Sequence, residues 1–144
     1  MSTALGPTLP DLLRARLGGA AAAPVDTAIA LSTVDDAGFP HPALLTYREL
    51  RAAGARALRL SVATGSRTAA NLRRSGKATL SFVDEDGVWY VKAEVDGAEL
   101  AGGADRAAVF PLRIVQVLAD AVDSREPDAA IVSGIRFART EARV

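Results

Sequence analysis

Between residues 57 and 76 the chain changes period without a spacer. Ala57 to Ala63 alternates, with Leu58, Leu60 and Val62 on one face and Arg59 and Ser61 on the other, the pattern of a half-buried strand. Thr64-Gly65-Ser66-Arg67 follows at once, and Thr68 to Arg74 has helical composition that ends near Gly76. A strand delivered straight into a helix leaves the first helical N–H groups without intrahelical partners, an arrangement that favours an anion. Gly65 permits close backbone approach, Ser66 can cap the helix or donate to an anion's oxygen, and Arg67 can add a charge-assisted contact. Helix capping by Ser66, with Arg67, Arg73 and Arg74 as a solvated face, explains the same residues equally well.

The surrounding segments predict hairpins. Thr27 to Val34 is β-rich and runs into the turn signal Asp35-Asp36-Ala37-Gly38, so Phe39 to Leu50 reads as its second arm. Pro40 and Pro42 near its entry argue for an edge or an irregular start rather than a central position. Arg51 to Gly54 interrupts the pattern. Lys77 to Val83 and Val88 to Leu100 form a second hairpin around Asp84-Glu85-Asp86-Gly87, whose Asp-Gly pair favours a tight reversal. Residues 9 to 17 predict a short amphipathic helix with Leu12, Leu13 and Leu17 on one face, followed by a small-residue connector to Pro24. Val109, Leu112, Val115 and Leu118 recur at helical spacing and predict a helix over 104 to 122, kinked or started by Pro111. Ala130 to Thr140 predicts a last strand, with Gly134 at a bulge. Six β segments with short helices make a mainly β (α+β) fold, an antiparallel barrel with helices at its rim, built as one domain over residues 1 to 144.

Composition narrows the chemistry. The chain of 144 residues has no cysteine, one histidine, and seventeen basic residues against seventeen acidic ones. Disulfides, thiol nucleophiles and iron–sulfur clusters are excluded, and a multi-histidine metal site cannot form within one chain. A balanced charge gives no sign of nucleic-acid binding, and no apolar run approaches the ~20 residues that span a bilayer. Asp11, Arg14 and Arg16 interrupt the N-terminal apolar stretch, which does not read as a secretion signal, so a cytoplasmic protein is expected.

Three stretches, residues 30–42 (Ala-Leu-Ser-Thr-Val-Asp-Asp-Ala-Gly-Phe-Pro-His-Pro), 60–67 (Leu-Ser-Val-Ala-Thr-Gly-Ser-Arg) and 71–80 (Asn-Leu-Arg-Arg-Ser-Gly-Lys-Ala-Thr-Leu), resemble in wording, order and spacing the pyridoxamine 5′-phosphate oxidase-like family of FMN-binding split β-barrels. The resemblance covers most of residues 28 to 95 and is loose beyond residue 100. It implies a six-stranded antiparallel split barrel, a homodimer with FMN at the subunit interface, and flavin-dependent oxidoreductase activity on a small-molecule redox substrate. A deazaflavin cofactor, or a non-catalytic flavin- or haem-binding module, is the alternative it leaves open. By the resemblance, His41, Pro42, Ala43, Leu44, Leu45 and Thr46 run beneath the flavin ring. Thr64, Ser66, Arg67 and the position of Thr68 serve its phosphate, and Asn71 steadies the turn from inside the helix. The family commonly carries a second cation where this chain has Thr68; Arg59, Arg73, Arg74, Lys77 or a residue of the second subunit are candidates to replace it.

No side chain is expected to act as a catalytic acid or base, and no metal is assigned to Asp84, Glu85 and Asp86, which suit a hairpin turn. Trp89 and Tyr90 are adjacent, so on a strand one faces the core and the other faces outward. Arg136 and Arg139 are either an exposed face or cofactor contacts across a dimer interface.

Overall fold

The computed structural model describes residues 2–19, 24, 26–103, 106–122 and 125–138. The chain order is β1 (Thr3–Gly6), α1 (Asp11–Leu17), β2 (Ile29–Val34), β3 (Pro40–Leu45), β4 (Leu50–Ala52), β5 (Ala57–Ala63), α2 (Arg67–Ser75), β6 (Lys77–Asp84), β7 (Gly87–Val95), β8 (Leu100–Ala101) and β9 (Ala107–Asp120). All pairings are antiparallel, in the order β3-β2-β6-β7-β9-β5-β4, with β1 and β8 also on β9.

One face of this sheet builds the core. Ala43, Leu31, Leu80, Val91 and Val117 form a single apolar row across five strands, since each is the register partner of the next. Leu58 with Leu112 and Leu60 with Phe110 extend the interior on the other side of β9. Helix α2 touches both β2 and β5, which stand four places apart in the sheet order, so the sheet curls until its two flanks approach. This is the mainly β, curled split-barrel class expected, carried by more strands than the six anticipated.

Several expected elements come out differently. The segment 107–120 is a strand, not a helix. Its buried residues are Ala108, Phe110, Leu112 and Ile114 in strict alternation, then Val117 after a register shift opposite Lys92 and Ala93. That bulge breaks period two and leaves apolar residues at spacings that imitate a helix. Pro111 fits because its carbonyl accepts from Asp96 N–H just past the end of β7, and in an antiparallel strand its missing donor faces the same side.

The expected arm from Phe39 to Leu50 divides at Thr46. Glu49 accepts hydrogen bonds there from Thr46 N–H and Oγ1, and the chain re-enters the sheet as β4 beside β5. Along α1 the buried apolar residues are Leu13 and Leu17, continuing from Leu9, with Arg16 buried beside them, whereas Leu12 is exposed. Spacing of four, not the adjacent pair, lines the inner face. Residues 130–138 form no ladder: Arg136 bridges Thr27, flanked by Ala28 N–H to Ile135 O and Phe137 N–H to Asp26 O. Gly134 is not at a bulge; a Cβ there would lie 1.8 Å from the Val83 carbonyl oxygen, so close packing requires glycine. Arg139 and Thr140 lie outside the described residues, as does most of the 20–24 connector. Strand β1, not anticipated, covers the far end of β9.

Candidate functional site

The turn after β5 is built by its serine. Ser66 Oγ donates to Ala63 O at 2.7 Å and accepts from Ala69 N–H at 3.1 Å, so this hydroxyl caps α2 and closes the turn together. The αL Gly76, at φ 68°, ends the helix. Thr64 N–H is held by Arg106 O, whereas the N–H groups of Gly65 and Thr68 have no partner among the described residues. Nothing lies within 4 Å of where a Gly65 Cβ would stand, so the space on that side of the turn is open. Thr68 is 6 % exposed, so its side chain adds no exposed hydroxyl at the turn.

Beside the turn is a polar cavity of about 320 Å³ lined by Asp35, Asp36, His41, Arg67, Ala70, Asn71 and Arg74. Arg67, Ala70, Asn71 and Arg74 share it because they recur at three- and four-residue spacing on α2. Asn71 is 4 % exposed; its Nδ2 donates to Thr33 Oγ1 at 3.0 Å, and its Oδ1 accepts from Arg74. It therefore ties α2 to β2. Arg74 also donates to Val34 O, and Asp35 Oδ1 accepts from the N–H groups of Ala37 and Phe39, shaping the wall that faces the helix. Arg67 is exposed and makes no hydrogen bond or ion pair to a described residue.

Strand β3 is one end of the sheet path and carries His41 through Leu45. Asp35 N–H bonds Phe39 O, which sets the parity of the β2–β3 ladder: His41, Ala43 and Leu45 turn their backbone toward β2, and Pro40, Pro42 and Leu44 turn theirs outward. Both prolines thus put their missing donor on the open edge, which offers three carbonyls and the Leu44 N–H. The side chains divide too. Leu45 is in the core and Ala43 packs against it, whereas Pro42 and Leu44 are exposed. His41 and Thr46, five residues apart on an extended strand, are separated by roughly 17 Å. The residues named from the sequence therefore form a cluster at His41, Arg67 and Asn71, with an edge running away from it to Thr46.

Sequence reasoning named Arg73 as a candidate cation but missed its partner, Glu99. Arg73 Nη1 donates to Thr64 O and Nη2 to Thr64 Oγ1, both at 2.9 Å, while Nε and Nη2 hold the two oxygens of Glu99 at 2.8 and 2.9 Å. The Arg73 guanidinium stands 5.8 Å from the centre of the Phe110 ring. Glu99 lies in the connection between β7 and β8, and its hydrogen bond from Arg73 holds its carboxyl below the usual carboxylate range. No local motif marks Glu99, since it is twenty-six residues from its partner. Of the other cations considered, Lys77 pairs with Glu94, and Arg59 sits on β5 opposite Arg51.

The remaining candidates have structural partners. Arg16, 6 % exposed, bonds Asp84 and Asp86, tying α1 to the β6–β7 turn. Burial pulls the Arg16 pKa down, but its contacts with Asp84 and Tyr47 outweigh that and leave it raised. Trp89 packs against the core, and the Tyr90 hydroxyl donates to Asp120 at 2.5 Å. Arg136 pairs with Asp26. No group of metal-ligating side chains occurs among the described residues, and no described helix is long and apolar enough to cross a membrane.

No family model matches the chain, and no curated protein matches it. Solved structures do. A protein from Lactobacillus delbrueckii, provisionally assigned as a pyridoxamine 5′-phosphate oxidase, superposes with a TM-score of 0.62 at 18% identity over 79% of this chain and 97% of its own. The fold is a split β-barrel. An FMN-binding protein from Syntrophomonas wolfei gives a TM-score of 0.59 at 21% identity, covering 78% of this chain and 87% of its own. An F420 reductase gives 0.56 at 14% identity, covering 76% and 98%. At these identities the likeness establishes the fold, and the function must be argued from the site.

Proposed function

We propose that this chain binds FMN, with the phosphate at the turn Thr64–Thr68 and the ring along the open edge of β3, and acts as a flavin-dependent oxidoreductase. The observation that carries the reading is the meeting of N–H groups at Gly65 and Thr68 with Arg67, none of them partnered among the described residues, beside open space. Free donors at a helix start and a partnerless guanidinium suit a phosphate monoester. When bound, the flavin supplies electron or hydride transfer, and the protein supplies position and shielding.

Each part of the site has its own task. Gly65 and Thr68 N–H donate to phosphate oxygens and Arg67 adds charge. Asn71 keeps α2, and with it these donors, fixed against β2. Leu44 N–H and the Pro42 carbonyl meet the polar rim of the ring, while the exposed Pro42 and Leu44 side chains give it apolar cover. The likeness in fold to an FMN-binding protein and to an F420 reductase supports a flavin-type ligand.

The ring needs a further wall, and we assign it to a second copy of the chain. The outward face of β2, β3, β6, β7 and β9 carries exposed Val34, Leu44 and Val115, of which Val34 and Val115 line a shallow hollow of about 480 Å³. Such an apolar face suits a symmetric interface.

The deciding experiment is to purify the protein, record its visible spectrum, release any chromophore for mass identification, and titrate FMN into the apoprotein. Yellow protein releasing FMN is expected. A colourless protein that leaves added FMN unquenched refutes the assignment, and a released deazaflavin replaces FMN by that cofactor. Reduction of the bound flavin by a nicotinamide donor then separates an enzyme from a carrier.

A further inference from the structure

Thr68 stands where a second phosphate cation is expected, yet the turn does have a second cation close by. Arg73 reaches back along α2 to hold both oxygens of Thr64, the first residue of the turn. Its other edge grips Glu99 with the two-pronged geometry that a guanidinium offers equally to a carboxylate or to two phosphate oxygens. We propose that Arg73 is the second phosphate cation and that Glu99 is its built-in competitor, displaced when a phosphate monoester arrives. This rests on the phosphate assignment above.

The geometry supports both halves. Beneath the guanidinium lies Phe110, itself buried, which limits swing in that direction and keeps Arg73 at the turn. Glu99 is exposed and outside every strand, and β8 after it has only two residues, so parting Glu99 from Arg73 disturbs no core contact. A bare arginine close to the positive end of a helix is unfavourable, which gives the carboxylate a reason to be there when no phosphate is bound. A phosphate monoester carries more charge than a carboxylate and also collects the Gly65 and Thr68 N–H groups, so it wins the exchange. The β7–β8 connection is then released on binding.

The test compares FMN with riboflavin, which lacks the phosphate, on wild-type protein and on Glu99→Gln, Arg73→Gln and the double variant. Glu99→Gln is expected to tighten FMN about fivefold, in keeping with loss of one half-exposed ion pair, and to leave riboflavin unchanged. Arg73→Gln is expected to weaken FMN by about tenfold or more, as for a charge-assisted contact, again without moving riboflavin. The double variant should match Arg73→Gln. Equal FMN affinity in Glu99→Gln and wild type, or equal shifts for FMN and riboflavin, overturns the exchange. Failure of wild type to bind FMN speaks instead against the phosphate assignment. In that event inorganic phosphate, followed through the Gly65 amide resonance, decides the matter: tighter binding by Glu99→Gln upholds the exchange and no difference overturns it.

Discussion

Asn71 shows how much one buried side chain can organise. Its amide donates to Thr33 on β2 and accepts from Arg74, so its loss strands a buried hydroxyl and leaves Arg74 with its bond to Val34 O. Unmet buried polar groups cost about 1–3 kcal/mol each. Asn71→Ala should therefore lower stability by about 2 kcal/mol in urea denaturation, and an unaltered midpoint would show that α2 is anchored elsewhere. Arg67 is the opposite case. It bonds nothing in the described chain, so Arg67→Ala should leave thermal stability unchanged while weakening FMN by about tenfold or more. A loss of stability with unaltered FMN affinity would reverse its role. Glu99, Asp26 and Asp120 are carboxylates held low by Arg73, Arg136 and Tyr90 respectively. Because their folded pKa values lie below the unfolded ones, their contribution is complete above about pH 4.5 and lost as pH falls through the folded values. Melting temperature should hold from pH 7 to about 5 and decline below 4.5, and the decline should be shallower in Glu99→Gln.

At the scale of elements, α2 and β9 carry the arrangement. Helix α2 is nine residues long, short enough that its caps matter. Ser66→Ala removes the hydroxyl that bonds both Ala69 N–H and Ala63 O, and should cost about 1 kcal/mol, read as a shift in denaturation midpoint. The same change should loosen FMN by misplacing the Gly65 and Thr68 donors, though Ser66 itself has its hydroxyl engaged. Strand β9 is the common neighbour of β1, β5, β7 and β8, so every part of the sheet leans on it. Phe110, 2 % exposed at its centre, is register partner to Leu60 and lies beneath Arg73. Phe110→Ala should cost about 3–5 kcal/mol; a cost below 1 kcal/mol would mean that the interior collapses around the gap.

For the whole molecule, the curl of the sheet is what joins the candidate site. His41 comes from β3 at one end of the strand order, while α2 follows directly from β5 near the other, and the cavity exists because α2 reaches across to β2. The outward face then decides assembly. Val115 is 43 % exposed at the bulge of β9, so Val115→Glu should leave the monomer fold intact and shift the proposed dimer toward monomer in sedimentation experiments. A variant that remains dimeric places the interface elsewhere.

The division between sequence and tertiary structure follows from the range of the interactions. Strand β5, its turn and the capped helix were legible because alternation, Ser66 and Gly76 act over a few residues. The edge position of β3 was legible because Pro40 and Pro42 lack donors whatever surrounds them. Strand β9 was not: a single bulge near Val115 hid its period, and only neighbours on both sides justify a 14-residue strand containing Pro111. The C-terminal strand failed for the converse reason, since alternating composition over 130–138 found one bridging residue and no ladder. Local chemistry thus determined that an anion-seeking turn exists. The curl of the sheet decided that His41 and Asn71 stand beside it, and packing across twenty-six residues brought Glu99 to Arg73, because contacts between distant segments leave no periodic trace in the chain.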